Sequence, residues 1–175
     1  MNGTAGFPTV TQIPFIVKEL NEQLYLEFHI ALKNEQASLI QEGSLGKMLV
    51  SGAHGYISSS VYTHVNVPTY NYASVHVLGT CSLLSLEDTR LHVSELVDFF
   101  EKNRTNPLKF ENWSNELISA YMTEIIGVRL KVVKMTGNFK LSQNRNEQDF
   151  KNILSDIEES NNELYNQMKQ VCPRK

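Results

Sequence analysis

Apolar and polar positions alternate most cleanly over Leu24–Ile30. Leu24, Leu26, Phe28 and Ile30 fall on one side, and Tyr25, Glu27 and His29 on the other. A period of two marks a strand with one face on a core, and it turns His29 away from that core. Thr9–Val17 is rich in β-branched residues and follows Gly6 and Pro8, which predicts a preceding strand. Pro14 has no amide to donate, so it marks an edge or a bulge there. Lys18–Gln23 is short enough to close the two strands as an antiparallel hairpin. Asn34 is placed to cap a short helix over Glu35–Glu42, closed by Gly43.

Farther along, Lys47–Ser51 predicts a short strand, Gly52–Thr69 a long loop, and the residues from Tyr70 to Leu78 another strand. In that last strand Tyr70, Tyr72, Ser74 and His76 share one face. Asn71, Ala73, Val75 and Val77 share the other, which suits an interior. Ser85, with Asp88 three residues on, opens a helix of about five turns whose apolar stripe is Val93, Leu96, Val97 and Phe100. Asn106-Pro107 ends that segment. A second helix is expected from Ser114 to Gly127, with Trp113 ahead of it as a core anchor. Val128–Met135 then predicts a strand, and Thr136-Gly137-Asn138 a turn into Phe139–Ser142. A single long helix over Glu147–Val171 closes the pattern, weakened at Ser160-Asn161-Asn162.

At 175 residues and 41% apolar content, the chain is long enough for one well-buried domain and short for two. The expected organisation is one domain over residues 1–157 and a helical extension over 158–175. The 16 basic and 19 acidic residues give a net charge of −3, which leaves no electrostatic footprint for non-specific DNA binding. Cys81 and Cys172 are far apart and make no CxxC, as expected in a reducing compartment. No apolar run approaches the roughly 18 residues of a membrane helix, and MNGTAGFP does not read as a signal peptide. A cytoplasmic location is the expectation.

Chemistry concentrates in two places. Gly52–Gly79 (GAHGYISSSVYTHVNVPTYNYASVHVLG) holds four tyrosines, three histidines and four serines in 28 residues. A folding core does not need that much polar aromatic chemistry. Within it, His54, Tyr56, Ser58 and Tyr62 are the functional candidates, while Tyr72 and His76 are better read as sealing an interface. Gly137–Arg145 (GNFKLSQNR) gathers Lys140, Ser142, Gln143, Asn144 and Arg145, two cations among amide and hydroxyl donors, which suits an anion or an amide edge. The competing reading there is helix capping by Asn144 or Asn146 with Arg145 solvated. His54, His64 and His76 are spaced by ten and twelve with no nearby Cys or carboxylate, which argues against metal. Ser58 with His54 lacks the G-x-S-x-G elbow and an orienting acid, so hydrolysis is a weak reading.

Both segments resemble the signature stretches of the PaiB family, FMN-binding negative transcriptional regulators with a split-barrel fold. The resemblance runs from about Phe7 to about Ile157, with the two motifs in the family's order. It implies an α+β split β-barrel with flanking helices, a homodimer, and FMN as cofactor. It also implies phosphate-side roles for His29, Lys33 and Asn34, at a strand-to-helix corner where a helix N-terminus favours an anion. Family members usually carry a short helix and a strand ahead of the segment matching Thr9–Val17. The expectation is therefore an N-terminally short barrel with an edge to be covered.

Three functions compete at this stage. One is the family's: a flavin-binding regulator, with direct DNA binding unsupported because no basic recognition helix is present. Another is an FMN-dependent oxidoreductase, in which the cofactor does the chemistry and no residue stands out as acid or base. The third is a dimeric binding module that has lost its flavin.

Overall fold

The computed structural model describes residues 8–171. Five strands, β1 (Ile16–Leu20), β2 (Gln23–Ala31), β3 (Leu45–Ile57), β4 (Thr69–Leu83) and β5 (Ile125–Lys140), form a sheet in the order β1-β2-β5-β4-β3. β1 pairs antiparallel with β2, and β2 antiparallel with β5. Helices α1 (Leu86–Glu101), α2 (Asn115–Met122), α3 (Glu147–Ile157) and α4 (Asn162–Lys169) complete an α+β fold. The chain divides into two compact units, Met1–Lys47 with Leu78–Lys134, and Met48–Val77 with Met135–Lys175.

In the first unit, the ladder starts two residues beyond Pro14, at Ile16, and not at Thr9 as the β-branched run predicted. The connection to β2 is a two-residue turn, Asn21-Glu22, with both residues at positive φ (50° and 63°). That is the turn type whose twist matches antiparallel strands. Leu26, Phe28 and Ile30 are buried as the alternation predicts. The opposite face of β2 is covered too. Glu27 is buried and takes the Arg129 guanidinium, with Nε at 2.7 Å. His29 is half-buried under α1 and α2. A pattern of polar residues thus marks a helix-covered face and not a solvated one.

Asn34 caps as expected, its Oδ1 accepting the Gln36 N–H at 2.9 Å, but the helix is a four-residue 3₁₀ turn, Glu35–Ser38. The Gln41 N–H is already spent on Ser44 Oγ at 2.9 Å, so the coil does not continue to Glu42. Ser85 caps α1 through the Asp88 N–H at 3.0 Å. Val93, Phe110, Ile118, Met122 and Ile125 then make a core, with Trp113 and Tyr121 packed against it. The second helix stops at Met122, well short of Gly127, which lies inside β5. A Cβ on Gly127 would sit 2.3 Å from Thr89 Oγ1, so this glycine lets α1 approach the strand. It does not end a helix.

The second unit has its own core of Ala53, Ile57, Tyr62, Leu141, Phe150, Ile153, Ile157, Leu164 and Met168. β3 continues through Ile57, so the first six residues of the expected long loop are strand and Ser58–Pro68 connects it to β4. Glycines hid the alternation. Gly55 has no side chain because a Cβ there would lie 2.7 Å from Asn161 Nδ2. β5 likewise runs without a turn through Thr136-Gly137-Asn138. Its residues 133–137 are all exposed, so no burial rhythm announces a strand. The last helix is two helices: Asn161 Oδ1 accepts the Leu164 N–H at 3.1 Å and starts α4 afresh.

Candidate functional site

The polar aromatic segment is presented largely by strands. On β3, His54 and Tyr56 alternate with buried Ala53 and Ile57, which puts both rings on the exposed face. The His54 ring stacks on Tyr70 of β4 at 6.0 Å between centroids, and its Nδ1–H donates to the Gly52 carbonyl at 3.0 Å. Tyr70 and Tyr72 are exposed on β4 while Asn71, Ala73 and Val77 are buried, the predicted division of that strand. Ser58 caps a 3₁₀ turn, Ser59–Val61, and shares its hydroxyl with Ser60 Oγ at 2.8 Å.

Tyr62 differs from the other tyrosines in being buried, 8% exposed, and its hydroxyl has no hydrogen-bond partner among the described residues. Over its ring lies the Arg145 guanidinium, 4.8 Å from the centroid, a cation–π contact. The Arg145 Nε is also buried and has no partner among the described residues. Lys140, at the end of β5, is exposed, and among the described residues neither cation is held by a carboxylate.

The rest of the second motif folds back on itself. Gln143 accepts the Leu141 N–H at 2.7 Å and donates to the Phe139 carbonyl at 2.8 Å. Ser142 is buried at φ +57° against Asn71, and Asn144 is exposed. Asn146, and not Asn144, caps α3 by accepting the Asp149 N–H at 2.8 Å.

Sequence reasoning missed Asp149. Its carboxylate is buried and accepts the Thr63 N–H at 2.8 Å, the Thr63 hydroxyl at 2.9 Å and the Asn146 amide at 2.8 Å. The Thr63 backbone bond, ahead of the other contacts, keeps this carboxyl below the ordinary aspartate range. Asp149 thereby ties the segment carrying Tyr62 to α3. Its place three residues after Asn146 is the one sequence signal for it.

The other three candidates lie in the first unit. Lys33 is exposed and faces Glu124 at 3.4 Å, a surface pair of small energetic weight. Asn34 is occupied by its cap and by Thr11, to which its Nδ2 donates at 3.1 Å. His29 has both ring nitrogens engaged, with His92 at 3.2 Å and Tyr121 at 3.0 Å. The structure gathers nine of the twelve candidates in one unit and these three in the other. Among the described residues no cluster of His, Cys, Asp or Glu fits a metal, and no helix is long and apolar enough to cross a membrane.

The sequence pattern of the family described as "Putative FMN-binding domain" matches residues 1–134. This chain belongs to that family. It is 31% identical over 170 residues to "Protease synthase and sporulation protein PAI 2" of Bacillus subtilis (strain 168), covering 97% of this chain and 82% of the relative. The PaiB-type resemblance is thereby established. Among solved structures, a FAD- and heme-binding protein from Mycobacterium smegmatis superposes with a TM-score of 0.54 at 16% identity, over 79% of this chain and 62% of its own. That likeness is one of fold, the α+β fold of flavin-binding split-barrel proteins. The flavocytochrome Anf3 from Azotobacter vinelandii aligns at a TM-score of 0.45 and 17% identity, over 85% of this chain and 64% of its own. This chain therefore spans less than two thirds of either structure's length.

FMN is the cofactor of the family, and the residues of the second unit fit its parts. Flavin mononucleotide offers a phosphate, a polar ring edge and a flat aromatic ring. Among the described residues Lys140 and Arg145 are cations free of carboxylates and the Tyr62 hydroxyl and Arg145 Nε are unspent, and His54, Tyr56, Tyr70 and Tyr72 are exposed rings. An open depression of about 410 Å³ lined by Ser60, Val61, Asn152, Ser155 and Asp156 fits less well, because Asp156 would repel a phosphate. Lys140–Arg145 lies beyond the residues matched by the family pattern.

Proposed function

We propose that this protein is a flavin-dependent regulator of the PaiB type: a cytoplasmic homodimer that binds FMN and through it influences transcription, without itself gripping DNA. The observation that carries the reading is the FMN-binding family match over residues 1–134, which spans β1 to most of β5. On this reading Lys140 and Arg145 meet the phosphate, Tyr62 offers its hydroxyl, and the exposed rings of β3 and β4 provide the surface for isoalloxazine and for the second subunit. Bound FMN would supply one- or two-electron redox chemistry, and the chain would supply position and electrostatics. The net charge of −3 speaks against direct, non-specific contact with DNA.

The test is a visible absorption spectrum of the purified protein before and after adding FMN and desalting, with light scattering on the same sample. A flavin spectrum that survives desalting, on a particle of twice the chain mass, supports the reading. A colourless monomer overturns it. Bleaching of the flavin by a reduced nicotinamide with turnover of an added acceptor would move the assignment to an oxidoreductase.

A further inference from the structure

We propose that the contact between α1 and β2 is an acid-operated latch, closed while His29 and His92 share a hydrogen bond and opened when both imidazoles are protonated. The proposal concerns the first unit alone and does not depend on flavin binding.

His92 is wholly buried on α1, and its Nε2 lies 3.2 Å from Nδ1 of His29 on β2. The rings meet edge to face, 5.4 Å apart at 64°. On its far side His29 Nε2 lies 3.0 Å from the Tyr121 hydroxyl of α2. A bond between two imidazoles needs one N–H and one lone pair. Two neutral rings provide that, and so does one neutral ring beside one charged. Two charged rings cannot, since two N–H groups would then face each other inside the unit.

The surroundings offer no compensation. From α1 itself comes Glu95, and from β1 comes Lys18, whose ammonium grips the Glu95 carboxylate. That acid is therefore already neutralised, as is Glu27 on the same face of β2, which holds Arg129. α2 presents only Tyr121, and β5 places Gly127 opposite His29, with no side chain at all. His92 Nδ1 has no partner among the described residues. Burial accordingly lowers both histidines, His92 from 6.5 to about 4, with the His29 charge as the second cause and Lys18 adding to it against Glu95. An open α1 would return both rings to water, where they take up protons near 6.5. Between those limits the opening equilibrium rises about tenfold per pH unit for each histidine released.

Amide hydrogen exchange on the full chain at about pH 7 and about pH 5, corrected for intrinsic rates, reads the latch directly. The expected result is a loss of protection in α1 of about tenfold to a hundredfold relative to α3. In His92→Gln, where only His29 can still titrate, the loss of protection in α1 should be clearly smaller than in the wild type. Parallel changes in α1 and α3, or an unaltered pH dependence in His92→Gln, would sink the proposal. Should the variant not fold, the His92 ring-proton resonance of the wild type decides. A midpoint below about 5, in step with the α1 amides, supports the latch. A midpoint near 6.5 with α1 undisturbed overturns it.

Discussion

Asn71 and Ser142 hold each other inside the second unit, the asparagine amide donating to Ser142 Oγ at 2.9 Å and the hydroxyl returning to Asn71 Oδ1 at 3.2 Å. Asn71 is completely buried, and its other contact is the Met168 sulfur at 3.4 Å. Ser142→Ala leaves that amide without its partner and should cost about 1–3 kcal/mol. Ser142→Gly should cost less, since glycine accepts φ +57° freely and recovers about 1 kcal/mol. Urea unfolding midpoints would show both. Equal stability of Ser142→Ala and wild type would mean that Asn71 finds another partner.

The buried histidine pair makes stability depend on pH with a definite sign. His92 has a folded value depressed to about 4 from 6.5, so it is neutral in the fold and charged in the unfolded chain below 6.5. Its contribution is therefore complete above 6.5 and is lost as pH falls toward 4, amounting to roughly 3 kcal/mol over that window. Unfolding free energies measured across this range should fall with acid in the wild type. His92→Gln should give a flatter profile.

Asp149→Ala removes the acceptor that Thr63 uses twice. The melting temperature should drop by several degrees, and the backbone amide of Thr63 should exchange faster. Because the Asp149 carboxyl lies below its ordinary value in the fold, its stabilisation is present above the usual aspartate range and disappears as pH falls through the folded value. The variant should lose this acid dependence. A melting temperature equal to that of the wild type would show that α3 alone holds the Tyr62 segment.

Lys140→Ala and Arg145→Ala test the flavin reading. A charge-assisted contact to phosphate is worth about 1.5–3 kcal/mol, or roughly 10- to 100-fold in affinity. Flavin fluorescence quenching should show losses of that size for both variants, whereas Lys33→Ala should bind FMN as the wild type does. Tight binding by a Lys140/Arg145 double variant would place the phosphate elsewhere.

Alternation of side chains and capping chemistry are local, and where they act alone they are legible in the chain. Leu26, Phe28 and Ile30, the two faces of β4, and the caps Asn34 and Ser85 all follow from neighbours a few residues apart. The α+β fold and the FMN-binding family were legible through the resemblance that two motifs carry, the second of them beyond the residues that the family pattern matches. His92 was within reach as well, because Thr89, His92, Val93 and Leu96 recur at helical spacing on the buried side of α1. What lay beyond the sequence was every feature that depends on a distant partner. β3 passes through Gly52 and Gly55 as a strand because it pairs with β4, with Asn161 against Gly55, and β5 passes through Gly137 without a turn. Local propensity at those glycines favours a turn, and tertiary pairing overrides it. The polar face of β2 reads as solvated until α1 and α2 cover it, and only then do His29, His92 and Tyr121 become one hydrogen-bonded chain. Composition determined which chemical groups this protein has to work with. Long-range packing decided which of them are spent on the fold and which, like Lys140 and the Tyr62–Arg145 pair, have no carboxylate partner among the described residues, because desolvation and partner geometry are set between segments far apart in the chain.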